Sequence, residues 1–390
     1  MAIALTVALA IAGTLLWLRS VVGHGLPSLP GVPMSLGVCR PSGEGFSGDP
    51  MLLGADVGAS ARLGDGRVVW AYGDTFRRPD GVTLTAVRNS LAIDDGHCRA
   101  VVIPPGGQEA IPTRLDGVGY WPMSVAVTDD GNVSTVRVFA ERVRGSERAF
   151  GFANLGPSIA TFVVPDDGAP RLVSVIDLSP DNASRRNIGW GAAVARGDDG
   201  YWYIFGTANP DRSMVFGWSV RVARAPEFDL ASPASWEYWD GAGWAADERQ
   251  AVEVIGAIGG VSQTFSVVHR DGTWYAISKL DGDLGSDLAV WASPAPWGPY
   301  ATPTTVGRIP NERDPSLLRY MPLAHPEAPT RPGTIVVSIC RNSADPELLL
   351  AATGVAGRDG HPVPVGLYRP YFVTIALPPR PSQELLEAGG

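Results

Sequence analysis

A glycine turn recurs along this 390-residue chain at intervals that a single structural repeat can explain. Four Asp-Gly turns and a final Pro-Gly turn are separated by 61 to 72 residues, and they place glycine at Gly66, Gly131, Gly200, Gly272 and Gly333. A run rich in β-branched and aromatic residues follows each turn and a shorter apolar run precedes it, as in an antiparallel hairpin. A repeat of this length suits one four-stranded sheet. The sequence therefore predicts an all-β fold, a five-bladed β-propeller.

Composition and charge agree with this fold and exclude several classes of partner. The chain has 47 Gly and 34 Pro and no long amphipathic helical pattern, which favours a turn-rich β domain over a helical bundle. The formal net charge is -9 and basic residues form no cluster, so nucleic acid and anionic lipid surfaces are not expected partners. No metal-ligand spacing is visible, so we expect catalysis without a metal or cofactor. We also expect the protein to be a monomer.

The ends of the chain differ in composition from its centre. Residues 1–22 contain a long uncharged apolar run that ends before Arg19, which predicts a signal peptide or a membrane-anchor helix and leaves both possibilities open. A Pro- and Gly-rich stretch over 23–48 is interpreted as a tether, 49–380 as the propeller and 381–390 as a flexible tail. We therefore expect the folded part outside the cytoplasm, either secreted or anchored at the cell envelope.

The chain has three cysteines, too widely separated in sequence for a metal site. An exported setting allows one disulfide with one thiol left over. The preferred pair is Cys39 with Cys98, because it would fasten the tether to the first blade. Cys340 would then stay free.

Aligning the repeats on their turn glycines predicts which residues face the central cavity. Innermost propeller strands start side by side around the axis, so equivalent positions should be neighbours. Ten residues before each turn glycine lie Asp56, Trp121, Trp190, Ser262 and Leu323. Eight residues after it lie Asp74, Phe139, Ala208, Leu280 and Arg341.

Only the first repeat has acids at both ends of its inner hairpin, Asp56 and Asp74. A glycosidase needs two facing carboxylates, one to donate a proton and one to activate water or attack directly. The alternative is that both residues are strand-end aspartates bonded to local backbone. The asymmetry among the repeats favours catalysis.

Several other residues are predicted to contact a sugar. Trp121 and Trp190 would form apolar walls, because aromatic faces pack against sugar rings, unless they fill gaps between blades. The polar side chains predicted to bind sugar hydroxyls are those of Asn89, Gln263 and Arg341. His325, in the sequence A-H-P-E, would orient a water or tune a carboxyl pKa; a structural role in the loop bent by Pro326 is the alternative.

The motifs of the chain resemble those of the endo-D-arabinanases of glycoside hydrolase family 183. The similar segments are G-A-D-V-G, W-A-Y-G-D-T-F, R-N-S, Y-W-P-M-S, G-W-G-A-A, Tyr320 with A-H-P-E, and G-L-Y-R-P-Y-F-V, across roughly residues 50–378. The resemblance implies a five-bladed propeller that cleaves internal α-D-arabinofuranosyl linkages in mycobacterial arabinogalactan and lipoarabinomannan. It also implies that Asp56 and Asp74 are the catalytic aspartates. The segment S-I-C-R-N at Ser338 to Asn342 departs from the family pattern and leaves the exact product open.

The sequence-based mechanism has an oxocarbenium-like transition state, with Asp56 as general base and Asp74 as general acid. The family resemblance favours inversion at the anomeric carbon, while direct cross-strand pairing of the two acids favours retention, so both outcomes stay open. Two other functions stay open. A non-catalytic propeller that binds cell-wall glycan would keep the aromatic residues and would not need both acids. A glycosidase acting on another furanoside is the third possibility.

Overall fold

The structure, a computed structural model, describes residues 30–38, 51–78, 83–146, 151–309, 317–343, 345, 348 and 367–382. Within these ranges the strands form five antiparallel sheets, which confirms the predicted five-bladed propeller. The predicted signal or anchor helix over 1–22 lies outside the described residues, as does most of the predicted tail. No helix in the described ranges is long and apolar enough to cross a membrane.

The strands are numbered in chain order. The first eleven are β1 (Val32–Pro33), β2 (Ser35–Leu36), β3 (Leu52–Arg62), β4 (Val68–Arg77), β5 (Thr85–Val87), β6 (Ser90–Asp94), β7 (Arg99–Ile103), β8 (Gly119–Asp129), β9 (Val133–Gly145), β10 (Phe152–Pro165) and β11 (Arg171–Asp177). The others are β12 (Gly189–Arg196), β13 (Tyr201–Ala208), β14 (Ser219–Pro226), β15 (Glu237–Trp239), β16 (Trp244–Ala245), β17 (Ser266–Arg270), β18 (Thr273–Lys279), β19 (Asp287–Ser293), β20 (Thr304–Arg308), β21 (Leu317–His325), β22 (Thr334–Ser343) and β23 (Tyr371–Ala376). Short 3₁₀ turns cover Pro105–Gly107, Glu227–Asp229, Pro233–Ser235 and Glu248–Gln250.

The predicted hairpins are the inner halves of the blades. Blades 1 to 5 begin with β3, β8, β12, β17 and β21, and each of these strands lies at the edge of its sheet beside the next strand in sequence. The five turn glycines lie between these paired strands with φ from 69° to 91°, a conformation that favours glycine. The five first strands contact one another in a closed ring, in which β21 meets β3.

Apolar residues between neighbouring blades form the core. Leu91 and Ile93 of blade 1 belong to the same buried cluster as Val136 and Val138 of blade 2. Burying each such side chain contributes about 1.5 to 3 kcal/mol, so many such contacts between blades stabilise the ring.

Part of the predicted tether is paired with the propeller. β1 pairs with β11 of blade 2, and β2 pairs with β7 of blade 1. Cys98 is disulfide-bonded, and its expected partner Cys39 lies outside the described residues. Cys340 is buried and free, and its Sγ lies 3.5 Å from the carbonyl oxygen of Val57.

Candidate active site

A cavity of about 730 Å³ opens at one end of the inner strands. Four residues predicted from the sequence line it: Asp56, Asp74, Trp121 and Gln263. Blades 1, 2 and 5 and the segments that flank β17 and β18 in blade 4 contribute to its walls. The structure therefore brings the acidic pair, one of the two predicted aromatic walls and one predicted amide to the same cavity.

A β-bulge places the two aspartates side by side. Ala55 pairs with Thr75 and Val57 pairs with Tyr72, so both Gly73 and Asp74 lie opposite Asp56. A Cβ atom on Gly73 would lie 2.4 Å from Asp56 Oδ1. Glycine in the G-D-T-F motif is therefore required for the close approach of the two strands at the acidic pair.

Each aspartate has its own hydrogen-bond donors. Tyr320 Oη donates to Asp56 Oδ2 at 2.7 Å, and the Tyr368 hydroxyl also hydrogen-bonds to Asp56. Trp121 Nε1 donates to Asp74 Oδ1 at 2.9 Å. The orientation of both carboxyl groups is thus fixed by side chains from blades 2 and 5 and from the segment before β23.

The surroundings of the two carboxyls shift their pKa values upward. Burial raises the pKa of Asp56, and the nearby charge of Asp74 raises it further. Burial also raises the pKa of Asp74, but the hydrogen bond from Trp121 and the charge of Arg88 oppose that rise. The pKa of Asp56 is raised to about 7 and that of Asp74 to about 6, and hydrogen bonds from Tyr320 and Tyr368 oppose the rise at Asp56.

Strained backbone surrounds the same cavity. Val57, Met321 and Tyr368 have φ of 63°, 46° and 55°, and all three line the cavity. A positive φ is costly for a β-branched residue such as Val57. Strain of this kind often occurs at functional sites, where the surrounding fold holds it in place.

Two predicted substrate contacts are corrected by the structure. Trp190 is 3% exposed, packs against Tyr238 and donates to Glu248 Oε1 at 2.8 Å. It lies in the core outside the cavity lining, so it cannot form a wall. Asn89 is 1% exposed, and its amide bonds to the backbone of Ile111 and Tyr120. Asn89 thus organises the blade 1 to blade 2 connection.

His325 and Arg341 also lie outside the cavity lining. His325 is buried between Trp70 and Phe372, and its Nδ1 lies 2.6 Å from Ser60 Oγ. These contacts favour a structural role for this histidine over contact with a substrate. Arg341 is followed by Asn342, which does line the cavity and donates to Tyr320 Oη at 3.2 Å.

Other cavity residues were not among the predicted site residues. They are Arg88, Glu141, Asn154, Asp283, Tyr320 and Tyr368. The tyrosines belong to motifs that carry the family resemblance, and that was the available signal for them. No sequence signal pointed to Glu141, because blade 2 has Trp121 at the position where blade 1 has Asp56, so no pair of acids is visible in its hairpin. Among the described residues, no group of three or more His, Cys, Asp or Glu side chains is arranged to hold a metal ion.

Comparison with known proteins assigns the family. The model of a domain of unknown function, DUF5005, matches residues 47–377. The chain belongs to the DUF5005 family. No curated protein matches the sequence of this DUF5005 chain.

Several solved structures resemble the chain to different degrees. A candidate hydrolase from Bacteroides ovatus has a TM-score of 0.60 and 18% identity, covering 90% of the DUF5005 chain and 97% of its own. A GH43_1 enzyme from Xanthomonas citri has a TM-score of 0.43 and 12% identity, covering 86% and 90%. The GH43 endo-arabinanase from Bacillus licheniformis has a TM-score of 0.39 and 12% identity, covering 83% and 93%. The Bacteroides structure supports the propeller fold, and at this identity the likeness concerns the fold alone.

The Trp121 hydrogen bond yields a test of the acidic pair in this DUF5005 protein. Trp121→Phe keeps an aromatic ring and removes the donor that lowers the pKa of Asp74, so that pKa should rise. If ionised Asp74 is required for activity, the acidic limb of the pH profile of kcat/KM should move to higher pH. If protonated Asp74 is required, the alkaline limb should move instead. An unchanged profile would show that Asp74 does not titrate in the reaction.

Proposed function

We propose that this protein is a glycoside hydrolase that cleaves internal α-D-arabinofuranosyl linkages of mycobacterial-type arabinan. The observation that carries the proposal is the pair Asp56 and Asp74, held side by side by a bulge in the wall of a large cavity. Both carboxyls have raised pKa values, as acid and base catalysis near neutral pH requires.

Electrostatics favours an order of roles opposite to the one predicted from the sequence. The pKa of Asp56 is raised to about 7, above the value of about 6 for Asp74, so we assign Asp56 as the general acid that protonates the leaving glycosidic oxygen. The hydrogen bond from Trp121 and the charge of Arg88 lower the pKa of Asp74 below that of Asp56, so we assign Asp74 as the base. In the reaction, the anomeric C–O bond breaks, a water oxygen bonds to the anomeric carbon, and the water proton passes to Asp74.

The arabinan substrate is supported by the resemblance of the sequence motifs to family 183 endo-D-arabinanases. The match to DUF5005 does not itself identify a substrate. The cavity fits a neutral sugar polymer, because the aromatic pair Trp121 and Phe152 provides apolar surface beside polar groups such as Gln263 and Asn342. Location at the cell envelope, by secretion or anchoring, is part of the same proposal, because such arabinan lies outside the cytoplasm.

Incubation of the full chain with purified mycobacterial arabinogalactan, followed by analysis of soluble oligosaccharides, tests this function. We expect arabinan fragments of several units, released far more slowly by the Asp56→Asn, Asp74→Asn double variant. L-arabinan and a fructan are the matched comparison substrates, and cleavage of these alone would replace the proposed substrate. Binding of arabinogalactan without any cleavage would favour the non-catalytic, glycan-binding function.

A further inference from the structure

We propose that a further sugar unit of the substrate binds at a distal subsite, formed by Glu141, Asn154 and Gln263 with the exposed residues Arg185 and Asn187. This inference rests on the proposed function. A second, much smaller depression, of about 40 Å³, adjoins the main cavity, and the two share Met123, Glu141, Asn154 and Gln263. The surface available to a sugar chain therefore continues from the acidic pair towards blade 3.

An unpartnered amide atom lies where the two depressions meet. Asn154 Nδ2 donates to Gln263 Oε1 at 2.9 Å, while the buried Asn154 Oδ1 has no hydrogen-bond partner among the described residues. Exchanging the oxygen and nitrogen positions of both amides would leave the Asn154 nitrogen unpartnered instead. A buried amide atom without a partner is costly, and a sugar hydroxyl can either donate to it or accept from it.

Glu141 adds a group that can both donate and accept. Burial raises the pKa of Glu141 to about 7, so its protonated and ionised forms coexist near neutral pH. The backbone N–H of Gly156 donates to Glu141 Oε1 at 2.7 Å and fixes the carboxyl. Glu141 pairs directly with Trp121 across the β8 and β9 strands, so it lies next to the aromatic wall.

Aromatic and cationic groups lie on both sides of the three polar residues Glu141, Asn154 and Gln263 that the two depressions share. Phe152 is 46% exposed and its ring centroid lies 4.7 Å from that of Trp121, which contacts Asp74. Asn154 is two residues further along β10. On the other side, the Arg185 guanidinium lies over the Trp218 ring, 5.0 Å from its centroid. An apolar face followed by directional polar groups is the surface a sugar chain requires.

The test measures how affinity depends on substrate length. Arabinofuranosyl oligosaccharides of two to eight units are titrated calorimetrically into the full-length Asp74→Asn variant, in which turnover is greatly slowed. The same titrations follow with Asn154→Ala or Arg185→Ala added. Asn132→Ala is the matched control, because Asn132 is exposed in the turn at the opposite end of the blade 2 hairpin.

We expect oligosaccharides long enough to reach the distal subsite to bind about tenfold more weakly to the Asn154→Ala variant, and the shortest to lose less affinity, because Asn154 also lines the main cavity. Arg185→Ala, at an exposed position, should have the same length-dependent effect without risk to folding. If both variants keep the full gain in affinity with length, the distal subsite is refuted while the proposed function stands. If no oligosaccharide binds at any length, the arabinan substrate is refuted and the subsite with it.

Discussion

Asp56→Asn and Asp74→Asn should each lower turnover on D-arabinan by roughly 10² to 10⁴, the usual contribution of general acid or base catalysis. Each change keeps the shape of the side chain and removes the group that transfers a proton. The two losses should not add in the double variant, because both groups act on one transition state. Initial rates of oligosaccharide release measure the effect, and Asp130→Asn in an exposed turn is the matched control.

Substrates with an activated leaving group distinguish the two roles. Such a substrate needs little proton donation, so the variant that lacks the acid should cleave it nearly normally. With Asp56 as the acid, Asp56→Asn should recover on this substrate and Asp74→Asn should not. Recovery of Asp74→Asn alone would restore the order predicted from the sequence, and full activity of either variant would refute the acidic pair.

Loss of folding can be separated from loss of catalysis. The pKa of Asp56 is raised in the folded protein, so its stabilising protonation is lost as pH rises through the folded pKa. Asn does not ionise, so the Asp56→Asn variant does not lose this stability as pH rises. At pH 8 the variant should therefore unfold at a temperature equal to or higher than that of the unchanged protein, which thermal unfolding measures.

Gly191→Ala should cause the largest loss of stability among the single changes considered. Gly191 has φ of 89°, and a Cβ there would lie 2.1 Å from Cδ1 of Phe139, a buried residue of blade 2. Backbone strain and overpacking together should cost roughly 2 to 5 kcal/mol. The shift in the thermal unfolding midpoint measures the loss.

Gly66→Ala is the matched control for Gly191→Ala. Gly66 has a similar φ of 91°, but a Cβ there would meet no atom within 4 Å. This control should lose only about 1 kcal/mol, from backbone strain alone. Equal midpoints for the two variants would show that the Phe139 ring moves aside and that the contact between blades 2 and 3 is not tightly packed.

The periodic turns were sufficient to predict the blades and their inner hairpins, because the glycines mark positions where the backbone must turn with positive φ. They were not sufficient to predict which side chains face the cavity. Trp121 and Trp190 lie at the same distance from their turns, yet β8 has one extra residue at its bulge and β12 has two, Gly191 and Ala192. A slip of one residue turns a strand's side chains to the other face, and Trp190 is accordingly in the core.

The acidic pair was predictable because it depends on one local hairpin, whereas its partners come from distant parts of the chain. Tyr320, Tyr368 and Trp121 reach the pair from other blades or from the segment before β23. Asn89 was misassigned for a related reason. Its neighbour Arg88 lines the cavity, while the Asn89 side chain is occupied by backbone groups that its sequence position does not reveal.

The contact between Tyr368 and β3 joins the last blade to the first. The Ala55 amide donates to the Tyr368 carbonyl at 2.8 Å, one residue from Asp56, whose carboxyl bonds to the Tyr368 hydroxyl. The contact that closes the propeller and the contacts of Asp56 therefore involve the same few residues. During synthesis, the contacts of Asp56 would be incomplete until the segment that contains Tyr368 packs against β3. Separation of this segment from β3 would disrupt the acidic pair while the other four blades remained folded.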